Sequence, residues 1–318
     1  MPKKCAPGSR LPADVIDIGS DPHADPISLA GMLAWETRAL VAHRRHPASI
    51  LLSPSFTPAR GWGDRQAVTV HDLIHLDVAD EGSRSKQLYY ERVVRPAIRR
   101  HPVTFTVSHF SKQRLVEWSG VSEERIVVTG NAAGAAFTPD GPAHSPGYPY
   151  VFYLRNAKPH KNSVGLVRAF ARLPHPDLRL VLSGRRDEPT SRAAAAAGVS
   201  ARVIYTDRIP EEDLPAFYRG AAVVAFPSLY EGFGIPAVEA LACGVPLVSS
   251  NATSLPEVVG EAGVYVDPSD IESLTRGLDR ALTDTALRAQ LRTAGPARAA
   301  LFSWDRITHA VLGALSAI

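Results

Sequence analysis

Short β-rich runs alternate with helical stretches from one end of the chain to the other, the signature of parallel sheets covered by helices. Strands are expected near residues 15–18, 50–52, 67–70, 103–107 and 126–128, with helical segments between them. Pro139, Gly141, Pro142, Pro146, Gly147 and Pro149 then crowd one short stretch, punctuation that suits an interdomain linker. A second series follows near 150–154, 178–183, 202–206, 223–226, 246–249 and 264–266. The 318 residues are enough for two domains, drawn here as 1–145 and 146–318, each a Rossmann-like doubly wound α/β unit. Ligands of such sheets bind beyond the carboxyl ends of the strands, so the residues that follow each strand are the place to look for chemistry.

Composition removes several alternatives. Apolar residues are 45% and charged residues 21% of the chain, ordinary values for folded globular domains. The net charge of +3 comes without a long run of one sign, so no nucleic-acid-binding tail is expected. Cys5 and Cys243 are the two cysteines, the second in an apolar stretch; no disulfide framework is expected, and a reducing cytoplasm is. No segment approaches the ~20 apolar residues of a membrane span, and residues 1–12 lack the apolar core of a secretion signal. Neither H-E-x-x-H nor paired C-x-x-C spacing is present, so no metal is expected, and a G-x-S-x-G hydrolase elbow is missing.

The densest constellation is Pro-Ser-Leu-Tyr-Glu-Gly-Phe-Gly-Ile-Pro-Ala-Val-Glu at 227–239, directly after the apolar run that ends at Phe226. Pro236 suits the first turn of a helix, and Gly232 and Gly234 let backbone approach a ligand closely. The amino terminus of that helix offers free amides and a partial positive charge, for which phosphate is the natural occupant. Glu239 falls in or near the first helical turn and leans back toward that end, within reach of hydroxyls beside the phosphate, and Glu231 can meet another part of the same ligand. Two isolated glutamates would more often be a dipole partner and a solvated side chain; the whole motif reverses that preference.

This run, continued through Ala-Leu-Ala-Cys-Gly-Val-Pro at 240–246, resembles the donor-site signature of the retaining GT-B-fold glycosyltransferases of family four (glycosyl transferases group 1). The segment 249–257, Ser-Ser-Asn-Ala-Thr-Ser-Leu-Pro-Glu, resembles the family's next loop, and 208–214 with Phe217 and Tyr218 resembles the segment before the signature strand. Phe302-Ser-Trp304 is similar to the start of the terminal helix, expected to pack back on the N-terminal domain. The resemblance implies that Glu231 faces the transferred sugar, that Gly232, Phe233, Gly234 and Ile235 belong to the donor-binding site, that Glu239 binds the ribose, and that backbone near Arg208 and Ile209 meets the base.

Residues 151–162, Val-Phe-Tyr-Leu-Arg-Asn-Ala-Lys-Pro-His-Lys-Asn, resemble the family's first strand and basic loop, in which the lysine matching Lys161 holds the donor diphosphate. An ammonium there offsets charge that develops on the departing nucleoside diphosphate, without a metal ion. Arg155 stands where the family commonly has glycine and Asn156 where many members have arginine. Arg155 either supplies a second positive charge to the phosphates, since a guanidinium can contact them through two parallel bonds, or blocks the backbone approach.

In the first half, Ala-Val-Thr-Val-His-Asp-Leu-Ile at 67–74 resembles the family's strand followed by His-Asp, with the histidine at the cleft. His71 can bond a sugar hydroxyl, assist proton traffic, or serve structure alone; Asp72 reads as a turn or cap residue. Ser108 and Ser111 follow another strand, where capping is the simpler role. The family's opening strand, glycine loop, first helix and second strand have no recognisable counterpart before Val15, so about one βαβ unit of ~30 residues is expected to be missing from the N-terminal domain.

The resemblance implies transfer of a sugar from a nucleoside-diphosphate sugar to a saccharide, lipid-linked or small-molecule hydroxyl, with no cofactor beyond the donor. The Pro-His-Lys-Asn variant resembles that of members using GDP-mannose, with UDP- and dTDP-sugars open. The alternative is a degenerate homologue that binds nucleotide as a partner subunit, with a partner chain completing the shortened domain. Lys3, Lys4 and Arg10 would give a lipid acceptor's membrane a peripheral contact, against the simpler reading of a frayed terminus.

Overall fold

The computed structural model describes residues 29–318; the strand expected at 15–18 and the basic stretch before it lie outside the described residues. Ten described strands form two sheets whose paired strands are all parallel. The first contains β1 (Leu51–Ser53), β2 (Gln66–Thr69), β3 (Val103–Thr106) and β4 (Ile126–Val128), side by side in that order. Its register sets Leu52 opposite Ala67, Ala67 opposite Val103 and Phe105 opposite Val127. The second contains β5 (Tyr150–Tyr153), β6 (Arg179–Leu182), β7 (Val203–Tyr205), β8 (Val223–Phe226), β9 (Leu247–Ser250) and β10 (Val264–Val266), in the order β10-β9-β8-β5-β6-β7. The chain winds outward from β5 to β7 and then returns to lay β8 on the other side of β5. That reversal opens a crevice at the carboxyl ends of β5 and β8. Every strand expected within the described residues is present.

Both faces of a parallel sheet are covered, so its strands read as continuous apolar runs. Tyr150, Val151, Phe152 and Tyr153 are completely buried, and Val223–Phe226 nearly so. Burying each large side chain stabilises the fold by about 1.5–3 kcal/mol. The two buried tyrosine hydroxyls need acceptors: Tyr150 Oη donates to the carbonyl of Phe217 at 2.8 Å, and Tyr153 Oη to that of Lys161 at 2.6 Å. The second bond fastens the loop after β5 to the strand itself.

The covering helices bury one stripe each. Ile271–Thr283 places Leu274, Leu278 and Ala281 in the core at helical spacing, and the carboxylate of Asp270 caps it by accepting from the amide of Glu272 at 2.9 Å. Residues 139–149 form neither helix nor strand; Arg219 Nε donates to the carbonyl of Pro142 at 2.8 Å, and the His144 amide to that of Ala216 at 2.9 Å. The terminal helix, Trp304–Leu315, crosses to the first sheet, where Val311, Ala314 and Leu315 pack on Ala67, Val103 and Phe105.

One helix of the first half is interrupted. Arg84–Tyr89 and Arg95–Arg100 are α-helical, whereas Tyr90–Val94 is a π turn in which the amide of Arg95 reaches back to the carbonyl of Tyr90. Pro96 explains the interruption: its ring crowds the carbonyl four residues earlier and it lacks an amide hydrogen, and the wider turn relieves both.

Candidate active site

A cavity of about 300 Å³ lies where the loops after β2, β5 and β8 meet; His71, Asp72 and Tyr90 line it from the first half, and Lys158, Lys161 and Glu231 from the second. The loop after β5 closes in a 3-10 turn, Pro159–Lys161, followed by Asn162 in the left-handed region at φ 56°. Asparagine tolerates that conformation, and its side-chain amide donates to the carbonyls of Pro227 at 3.2 Å and Pro268 at 2.7 Å. These bonds lock the basic turn onto the loops after β8 and β10. Lys161 Nζ consequently lies 2.6 Å from Glu231 Oε1 and 5.9 Å above the Phe226 ring.

The glutamate end of that pair is equally fixed. The Glu231 amide donates to Thr253 Oγ1 at 3.0 Å, and its carbonyl accepts from Ser254 Oγ at 2.9 Å. At Gly232 a side chain would stand 2.6 Å from Asp72 Cβ, so glycine is what lets the two halves close here. Gly234 has φ +95°, and a Cβ on it would meet Leu255 at 2.7 Å. Helix Ile235–Ala242 starts immediately after, with Pro236 in its first turn. Glu239 is the fifth residue of this helix, directly after its first turn. Its carboxylate accepts from Tyr218 Oη at 3.0 Å. Burial first, and the neighbouring Glu239 charge second, push the Tyr218 hydroxyl well above its ordinary range, so it remains a donor.

Polar contacts through Glu81, Tyr230, Ser111 and Glu257 join the halves around the cavity. The buried Glu81 carboxylate accepts from His160 Nδ1 at 2.8 Å and pairs with Lys158 Nζ. Burial works against its charge, but the bonds from Lys158 and His160 outweigh that and hold its carboxyl below the ordinary 4.5. Burial, then the Lys161 charge, lowers His160, so its ring is neutral and donates through Nδ1–H. Tyr230 Oη donates to Asp77 Oδ2 at 2.8 Å, and Ser111 Oγ to the carbonyl of Gly232 at 3.2 Å. The Glu257 carboxylate accepts from the amides of His109 at 3.0 Å and Phe110 at 2.9 Å, complementing the amino terminus of helix His109–Ser119 from the opposite half. Ser108 caps the same helix, accepting from the Ser111 amide at 3.0 Å.

His71, Lys161 and Glu231 thus share one cavity, and Asp72, whose Oδ1 accepts from the Ile74 amide at 3.0 Å in a local turn, stands beside them. Arg155 requires a correction. Its side chain is 1% exposed, with Nη1 2.8 Å from Asp187 Oδ2 and the guanidinium over the Tyr205 ring. That charge is spent on Asp187, the N-cap of helix Glu188–Ala196, and does not supply a second cation to the cavity; Asn156 lines it instead. Arg208 and Ile209 follow β7 in a turn held by the bond from the Gly184 amide to the Asp207 carbonyl at 2.6 Å, outside the cavity lining, as is Glu239. Among the described residues no three His, Cys, Asp or Glu side chains are grouped to hold a metal ion. Phe56, His75, Glu81 and Tyr90 were not anticipated; they lie in segments of the first half without a motif, and Glu81 finds its partners 77 and 79 residues away.

Residues 137–298 match the family profile described as glycosyl transferases group 1. O-antigen chain mannosyltransferase B of Escherichia coli is 32% identical over 266 residues, covering 79% of this chain and 70% of that protein. The serotype-specific mannosyltransferase WbdA of Escherichia coli is 31% identical over 223 residues, which are 64% of this chain and 27% of that protein, so this chain matches about a quarter of it. In three dimensions the sucrose-phosphate synthase of Thermosynechococcus elongatus superposes with a TM-score of 0.74 at 21% identity, covering 93% of this chain and 79% of that one. None of the described helices is long and apolar enough to cross a membrane.

Proposed function

The chain belongs to the glycosyl transferases group 1, with the GT-B fold, and from that premise we propose that it transfers a sugar from a nucleoside-diphosphate sugar, GDP-mannose by preference, to an acceptor hydroxyl with retention of configuration. The observation that carries this reading is the Lys161–Glu231 pair, 2.6 Å apart on two loops at the crevice between β5 and β8. The diphosphate lies against Lys161 Nζ and the amino terminus of helix Ile235–Ala242 near Gly234 and Ile235, which together stabilise the leaving group without recruiting a metal ion. Glu231 faces the transferred sugar, Glu239 the ribose, and the turn at Arg208–Ile209 the base.

The acceptor oxygen forms its bond to the anomeric carbon on the face from which the diphosphate leaves. The bond from that carbon to the phosphate oxygen breaks, and the acceptor's proton passes to the departing phosphate. His71, beside the site, orients a sugar hydroxyl through the ring nitrogen that faces away from Pro54. The mannosyl preference is supported by the Pro-His-Lys-Asn turn and by the name of the 32% identical relative. Release of nucleoside diphosphate from GDP-mannose, UDP-glucose and dTDP-rhamnose, each with saccharide acceptors and with a chelator present, tests it. Acceptor-dependent release from GDP-mannose that survives the chelator is expected, and its loss with Lys161→Ala. Release from none of the three, with nucleotide still bound, would instead support a nucleotide-binding partner subunit.

A further inference from the structure

The basic turn that presents Lys161 is gripped from the other half of the molecule. Lys158 stands at its start, its carbonyl accepting from the Lys161 amide at 3.0 Å. Glu81 puts one carboxylate oxygen on the Lys158 ammonium and the other 2.8 Å from His160 Nδ1, with the glutamate and imidazole side chains only 5% and 4% exposed. Pro159 lies between those two residues with its φ fixed by its ring, so holding its neighbours holds the turn. Lys161 is the next residue. The backbone of His160 is tied down as well, its carbonyl accepting from the Leu229 amide at 2.7 Å.

Glu81 is itself anchored to the short helix that follows His71 and Asp72. His75, on helix Ile74–Asp77, donates from Nδ1 to the Glu81 carbonyl at 2.9 Å, and the Glu81 amide donates to the carbonyl of Val78 at 3.0 Å. The last residue of that helix makes a second connection: Asp77 Oδ2 accepts at 2.8 Å from the hydroxyl of Tyr230, the residue before Glu231. One helix of the first half therefore reaches both members of the Lys161–Glu231 pair, one through Glu81 and the other through Tyr230. A lysine ammonium rides on a flexible four-carbon stem, so its hold on a phosphate depends on where the backbone starts that stem. We propose that Glu81 is a positioning residue of the donor site: through His160 and Lys158 it sets the turn that carries Lys161, and so the first half of the chain governs the grip on the donor's diphosphate. A carboxylate that served the fold alone would act without regard to Lys161, whereas a positioning carboxylate falls silent once that ammonium is removed.

This inference rests on the transfer reading above, so its test separates the two. The full chain is titrated by calorimetry with GDP, UDP and dTDP, and the tightest of them is then measured on Glu81→Asp, on Lys161→Ala and on the double variant. Aspartate keeps the charge and withdraws it from both partners by one carbon–carbon bond, about 1.5 Å. The nucleotide is expected to bind Glu81→Asp about three- to tenfold more weakly than the parent, yet to bind the double variant and Lys161→Ala alike within about twofold. Glu81→Gln, which keeps the length and an acceptor for His160, should hold the nucleotide more tightly than Glu81→Asp. If Glu81→Asp does not fold, His160→Leu cuts the same bond from the other side and enters the same cycle with the same expectation. Failure of every nucleotide to bind the parent would remove the transfer reading and this inference together. A nucleotide that binds the parent but is held equally well by Glu81→Asp, that loses the same factor with and without Lys161, or that binds Glu81→Gln more weakly than Glu81→Asp, would overturn this inference alone.

Discussion

Replacing Glu231 by glutamine should tighten the binding of a nucleoside diphosphate while it slows transfer. Lys161 Nζ sits 2.6 Å from Glu231 Oε1, with the two side chains only 15% and 11% exposed. A phosphate oxygen that takes another hydrogen of the same ammonium would stand roughly 5 Å from that carboxylate oxygen, where two unit charges repel by about 3 kcal/mol at an effective dielectric of about 20. The ammonium between them and partial solvent access reduce this to about 1–2 kcal/mol, a factor of roughly 5–30 in affinity. Glutamine keeps the shape and the hydrogen bond of the side chain and removes that repulsion. GDP affinity by calorimetry should therefore rise by roughly 5–30-fold in Glu231→Gln and fall by about tenfold or more in Lys161→Ala, which removes a charged hydrogen bond. Turnover should drop in both. Equal weakening in the two variants would refute the reasoning, because it would mean that the carboxylate supports the nucleotide instead of opposing it.

Gly232→Ala would press a methyl group to 2.6 Å from Asp72 Cβ; thermal unfolding should show a loss of about 1–3 kcal/mol, as overpacking does, and an unchanged midpoint would contradict the close approach. Glu81→Ala strips the acceptor from the buried His160 Nδ1–H, at a cost of about 1–3 kcal/mol measurable in urea unfolding near pH 7.5. His101 is fully buried, neither ring nitrogen has a partner among the described residues, and burial pulls it down to about 4 from the ordinary 6.5. The unfolded chain then holds more protons between those values, so stability that is complete above pH 6.5 is lost as pH falls, by about 2 kcal/mol at pH 5. His101→Leu should flatten that part of the pH profile, and an identical profile would show that the ring is not its source.

Much of the fold is legible in the amino-acid sequence because parallel strands buried on both faces must be apolar throughout. Tyr-Val-Phe-Tyr at 150–153 and Val-Val-Ala-Phe at 223–226 announce themselves without any knowledge of their neighbours. The π turn at Tyr90–Val94 is less visible, since Pro96 marks a break without saying which geometry relieves it. Site residues divide in the same way. Lys161, Glu231 and His71 each follow a strand within a continuous motif, and the fold places them in one cavity. Glu81 with His160, Tyr230 with Asp77, and Glu257 with the amides of His109 and Phe110 pair residues 79, 153, and 148 or 147 positions apart, and nothing local encodes those meetings. Arg155 shows the cost of local reading: a guanidinium after β5 looks available to phosphate until Asp187, on another loop, claims it.

The most direct test of the account is the structure of the chain bound to GDP-mannose or a slowly reacting analogue of it. The account predicts diphosphate oxygens within hydrogen-bond distance of Lys161 Nζ and of the amides that open helix Ile235–Ala242, with the sugar against Glu231. A nucleotide seated away from the crevice between β5 and β8, or a Lys161 that keeps Glu231 as its sole charged partner in the complex, would contradict it.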